Sequence, residues 1–179
     1  MLTRLKLAMV LAAAGSGVLA AQVNEYQVKA FFLYNFARYV EWPAQSFKSP
    51  TDPIVICILG QNPFGGSLDE AIRGRQVDGR PFAVRQLADV PAPGACHILF
   101  VNSPERKRFR AGAQRIGGTG VLTVGEAQEF APGGGVINFK LDGGKVRFEI
   151  DVEAAAREHL HISSKLLSLA QIAGKAADK

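Results

Sequence analysis

The sequence predicts one α/β domain, with a mixed, mostly parallel sheet flanked by helices and a late antiparallel hairpin. Three observations carry this. Residues 54–59 (IVICIL) and 97–101 (HILFV) are short apolar runs of the kind that fill strands covered on both faces, as in a parallel sheet. Stretches with helical spacing separate these strands. Near the end, Asp142-Gly143-Gly144 divides two segments that alternate in period two, which marks a hairpin.

The 179 residues allow one domain of ordinary size, and the 47% apolar composition supplies a sizeable core. Residues 1–20 read as a cleaved signal peptide. Arg4 and Lys6 form its basic start, an apolar run follows, and Val18-Leu19-Ala20 places small residues before the cleavage point. Residues 21–179 then form the mature domain, and the formal net charge falls from +5 to +3 with Arg4 and Lys6. The remaining Lys and Arg are scattered, apart from Arg106-Lys107-Arg108 with Arg110. No basic stripe with interleaved aromatics appears, which argues against nucleic acid as a partner.

Taken in order, residues 24–40 predict a helix. Tyr26, Ala30, Leu33, Ala37 and Val40 follow helical spacing, Phe32 and Phe36 widen the stripe, Asn24 caps the start and Pro43 ends it. The strand 54–59 closes at Gly60, and Ser67 begins a short helix to about Arg73. Residues 81–87 and 97–101 are the next strands. Ser103-Pro104-Glu105 starts a helix running to about Ile116, a strand covers 121–124, and 126–130 forms a short helical turn. The hairpin pairs 136–141 with 145–150. Helical residues 152–159 and a second apolar segment, 163–172, complete the chain.

Few residues suggest chemistry. Gly60, Asn62, Gly65 and Gly66 lie in a strand-to-helix loop where phosphate loops occur, but neither GxGxxG nor a following Lys-Ser/Thr is present. A tight turn is the plainer reading, and a small-ligand loop the alternative. His159 and His161 are two apart with no third ligand nearby, so no metal is expected. His97 neighbours Cys96, but adjacent strand residues point to opposite faces, so a Cys–His nucleophile is disfavoured and a structural histidine expected. Glu149 and Asp151 share a strand face that reads as a solvated hairpin edge. No serine sits in a GxSxG elbow. Neither an enzyme nor a cofactor is expected.

Cys57 and Cys96 are the exception. In an exported chain two cysteines read as one bridge, with two buried free thiols as the alternative. Their spacing is too long for CxxC redox chemistry.

A set of ordered blocks resembles the YfiR-like family. They are residues 28–43 (VKAFFLYNFARYVEWP), 56–60 (ICILG) with 62–65 (NPFG), 96–100 (CHILF), 121–124 (VLTV), 146–150 (VRFEI) and 162–170 (ISSKLLSLA). This resemblance implies a periplasmic regulator that binds the periplasmic sensory domain of an inner-membrane diguanylate cyclase and holds it inactive. An OmpA-like outer-membrane lipoprotein would sequester the regulator, raising cyclic di-GMP and biofilm formation. The family's bridge would fall on Cys57 and Cys96, while the second cysteine pair of some members is missing. A homodimer is a further assembly this reading allows, and a periplasmic small-molecule sensor component is the alternative function. A partner-binding regulator should expose an apolar patch. That patch is expected at Ala156, His159, Leu160 and Ile162, where the helical pattern breaks.

Overall fold

A computed structural model describes residues 14–128, 130–131 and 133–173, with side chains from Glu25 onward. The first thirteen residues of the expected signal peptide lie outside the described residues.

Helix α1 (Ala14–Tyr39) is followed by a two-residue strand, β1 (Val40–Glu41). β2 (Ile54–Leu59), α2 (Ser67–Ile72), β3 (Gln76–Val77) and β4 (Arg80–Leu87) come next. β5 (Ile98–Val101), α3 (Arg106–Gly112) and β6 (Leu122–Gly125) precede the hairpin of β7 (Ile137–Asp142) and β8 (Lys145–Ile150). α4 (Val152–Arg157), β9 (His161–Ile162), α5 (Ser164–Leu167) and β10 (Gln171–Ile172) end the fold.

The main sheet has strand order β10-β8-β7-β6-β5-β2-β4-β3, with β1 and β9 forming a separate antiparallel pair. β4, β2, β5, β6 and β7 are mutually parallel, β8 is antiparallel to β7, and β10 is parallel to β8. This is the predicted mixed, mostly parallel sheet.

Strand alternation divides the core in two. Ile54, Ile56, Ile58, Ile98, Phe100, Phe139 and Phe148 join the cluster that holds α1. Val55, Cys57, Leu59, Leu99 and Val101 join Phe109 of α3 and Phe130. The aromatic stripe of α1 serves the first cluster: Phe32 and Phe36 pack on Phe139 and Phe148, with ring centroids 5.1–6.0 Å apart. Burying each such ring is worth about 1.5–3 kcal/mol before entropy.

Several boundaries depart from the sequence reading. α1 starts at Ala14 rather than at 24, and Val40 leaves the helix to pair with Ile162. Asp78-Gly79, with φ of 52° and 77°, forms an unanticipated turn joining β3 to β4. Among the described residues of 126–130 none is helical, and Phe130 packs in the α3-side core. A Cβ on Gly135 would lie 2.1 Å from the Phe130 ring, so that glycine is what admits it. Of 163–172 only Ser164–Leu167 is helical; Gln171–Ile172 pairs with β8, so β8 is an interior strand.

Candidate functional site

In this topology the chain passes from β2 outward to β4, then returns to β5 on the other side of β2. The carboxyl ends of β2 and β5 flank the switch point, where open α/β sheets commonly hold ligands. Here the protein's own groups fill it. Gly60 has φ +81°, and a Cβ there would lie 2.4 Å from the Glu105 carboxylate. The Asn102 Nδ2 group donates to the Gln61 carbonyl at 3.1 Å. Asn62 Oδ1 accepts the Phe64 N–H at 2.9 Å, and Phe64 is buried edge-on against Phe100 and Tyr26. Gly65 supplies a positive φ of 57°, and Gly66 stands at the start of α2. The geometry of Gly60, Asn62, Gly65 and Gly66 is that of a closed βα turn.

An opening lies beyond the carboxyl end of β6, where β7 runs on past its neighbour. It is a cleft of about 780 Å³ between the middle of α1 (Glu25, Tyr26 and Lys29), the segment after β6, and β7–β8. One wall is a buried ionic network. Lys29 is only 4% exposed and pairs with Glu25 and with Glu126, the latter at 2.6 Å. Tyr26 donates its hydroxyl to Glu126 at 3.0 Å, and the Ser103 N–H reaches the same carboxylate at 3.3 Å. The Lys29 ammonium also lies 4.7 Å from the Tyr26 ring centroid. Burial raises the Tyr26 pKa well above its ordinary value, reinforced by the Glu126 charge, so the phenol stays protonated as a donor.

The second wall comes from the hairpin. Glu149 accepts from Asn138 Nδ2 at 3.2 Å and pairs with Lys140 at 2.5 Å. Glu149 is therefore largely covered, not the solvated edge that period-two alternation suggested. Asp151 is separate from it: its carboxylate caps α4 by accepting the Ala154 N–H at 2.8 Å.

Sequence reasoning did not assemble this site. Glu25 and Lys29 are a visible i, i+4 pair, but Glu126 is remote in sequence and only β6 brings it there.

His97 is structural, as the sequence suggested. Its Nδ1 accepts the Val55 N–H at 3.0 Å, which leaves the proton on Nε2 to donate to the Ser46 carbonyl, also 3.0 Å away. Phe47 stacks on the ring with centroids 4.3 Å apart. Burial lowers the His97 pKa below 6.5.

The expected docking patch needs correction. Ala156 and His159 are exposed, but Leu160 and Ile162 are only 6% and 8% exposed and belong to the α1-side core. The helical pattern breaks there because α4 ends in a Schellman motif. His159 takes φ +56°, and the N–H groups of His159 and Leu160 bond to the carbonyls of Ala156 and Ala155. That turn sends Leu160 inward. Exposed large apolar side chains among the described residues include Val28 and Phe31 on the solvent stripe of α1, the latter 50% exposed, and, away from that stripe, Leu141, Val152 and Leu169. Arg75 lies 6.0 Å from the Phe31 ring centroid and 4.6 Å from that of Tyr34; Arg38 follows along the same stripe.

Cys57 and Cys96 are disulfide-bonded, with Cα atoms 5.9 Å apart, inside the α3-side core. Among the described residues no three His, Cys, Asp or Glu side chains gather as a metal site, and no helix is long and apolar enough to cross a membrane. The match to known proteins agrees with the blocks read from the sequence. Residues 26–171, nearly the whole described fold, match the YfiR/HmsC-like domain family, and the chain belongs to that family.

Proposed function

We propose that this chain is an exported periplasmic regulator, not an enzyme, which binds the periplasmic domain of an inner-membrane diguanylate cyclase and holds it inactive. Membership of the YfiR/HmsC-like family over residues 26–171 carries this reading. The buried Cys57–Cys96 bridge supports export, since such bonds persist in oxidising compartments. The pairing within both polar networks supports a binding role, because His97 and Lys29 are occupied in holding the fold together.

The docking face in this reading is the stripe of Val28 and Phe31, flanked by Arg38 and Arg75. An exposed phenylalanine with Arg75 near its ring, and Arg38 further along the helix beside Tyr34, suits an acidic, partly apolar surface on the cyclase. An OmpA-like lipoprotein would relieve inhibition by sequestering the regulator. Cells lacking this chain should accumulate cyclic di-GMP. The wild-type protein should restore the low level, and Phe31→Asp, exported in equal amount, should not. Restoration by Phe31→Asp would remove the face, and an unchanged nucleotide level on deletion would remove the function.

A second reading, a periplasmic sensor of small molecules, is favoured by the cleft of about 780 Å³ beyond β6. The Gly60–Gly66 loop does not line that cleft.

A further inference from the structure

The outer edge of β4 is open along most of its length. β3 pairs with it only at Arg80 and Pro81, while β2 covers its other side from Phe82 to Leu87. Val77 and Arg80 close a two-residue turn, so from there the backbone groups of β4 alternate between its two sides. Those of Arg85 and Leu87 turn inward to β2, and the Leu87 carbonyl accordingly accepts the Gly60 N–H at 2.8 Å. Those of Val84 and Gln86 turn outward, and among the described residues no strand or loop takes them.

Natural sheet edges are guarded by shortness, proline, bulges or charge, because a free edge templates another strand. Residues 82–87 (FAVRQL) hold no proline or glycine, and Arg85 is their one charge. The flanks of the edge define the strand that fits it. On the α1 face the exposed apolar stripe continues onto β4: Phe31 contacts Tyr34, and Tyr34 packs edge-on against Phe82 with centroids 5.7 Å apart. Arg75 sits over the Tyr34 ring on that face, and Arg85 is exposed on the other. Neither has a carboxylate partner among the described residues. Two uncompensated guanidinium groups beside apolar side chains complement a strand that alternates apolar and acidic residues.

We infer that β4 takes an added strand from a partner protein, an extended segment in which apolar residues alternate with Asp or Glu. Its backbone would pair with Val84 and Gln86. Its apolar side chains would lie beside Phe82 and Val84, and its carboxylates would reach Arg85. The inference goes beyond the cyclase reading, since any partner presenting such a segment would serve.

The test is an NMR titration of the folded, disulfide-bonded, ¹⁵N-labelled protein with a blocked heptapeptide, TVEVEVT, and in parallel with TVKVKVT. Saturable shifts and slowed hydrogen exchange at the Val84 and Gln86 amides are expected from the glutamate peptide alone. Gln86→Pro removes an outward N–H that the fold leaves unused, so it should fold and weaken binding about tenfold. Gln86→Ala keeps that N–H and should bind as wild type does. Arg85→Glu leaves the backbone alone and should abolish the preference for the glutamate peptide. Equal responses to the two peptides would overturn the inference, as would unperturbed Val84 and Gln86 amides or undiminished binding by Gln86→Pro. Protection of both amides that rises with protein concentration in the absence of peptide would also overturn it, because a second copy would then occupy the edge. Peptide binding without a cyclase complex would remove the cyclase reading and keep this one, and a cyclase complex beside a silent peptide would do the reverse.

Discussion

Opening the Cys57–Cys96 bridge releases a closed loop spanning a sequence separation of 39 residues. The chain-entropy relation for a loop of that length gives about 4 kcal/mol at 25 °C. A domain of this size loses about 2–4 °C of melting temperature per kcal/mol, so the expected fall is about 8–16 °C. Both sulfurs are buried in the cluster with Leu99 and Phe109, so replacing them adds a packing loss to the entropic one. Two comparisons separate these effects. Reduced wild type keeps the sulfur atoms and loses only the link. The Cys57→Ala/Cys96→Ala variant loses the link and leaves a small void, so it should melt lower still. Melting followed by circular dichroism, with thiols titrated under denaturing conditions, reads both. Reduced protein melting within about 2 °C of the oxidised form would refute the reasoning, because the bridge would then contribute almost nothing.

The other predictions concern the polar networks and the corrected faces. Lys29→Ala should cost about 3–5 kcal/mol in urea unfolding, since it strands the buried Glu126 carboxylate. A Lys29→Met/Glu126→Gln pair should recover much of that loss. His97 is held neutral in the fold with its pKa below 6.5, while the unfolded chain titrates near the ordinary value. The unfolded state therefore takes up protons first, so this contribution is complete above about pH 6.5 and is lost as the pH falls toward the depressed folded value. Melting temperature against pH should fall less steeply below 6.5 in His97→Asn than in wild type. Leu160→Asp should destabilise by at least about 3 kcal/mol, because it buries a charge where α4 turns into the core. Phe31→Asp should change stability by no more than about 0.5 kcal/mol, as expected at an exposed site. Equal unfolding curves for Leu160→Asp and wild type would contradict the burial described for Leu160.

Elements whose pattern is set by their own neighbours were legible in the sequence. The run 54–59 reads as a doubly covered strand because all six residues are buried between two helical layers. The Gly143-Gly144 turn reads directly because both glycines adopt positive φ. What escaped notice depends on partners remote in the chain. Val40 continues a helical stripe in sequence, but pairing with Ile162 draws it into a strand. β10 carries too little pattern to be seen, yet by covering β8 it turns Glu149 from an edge residue into a lining one. The break after Arg157 was visible but misread: the chain reverses through His159 and carries Leu160 inward. The cleft was invisible for the same reason, because Lys29, Glu126 and Asn138 meet only once β6 and β7 are side by side.

The partner claim is tested most directly by titrating the purified, oxidised protein into the purified periplasmic domain of a membrane diguanylate cyclase from the same cell. A saturable complex of about micromolar affinity or tighter is predicted, weakened at least about tenfold by Phe31→Asp. No detectable complex between the two folded proteins would contradict it.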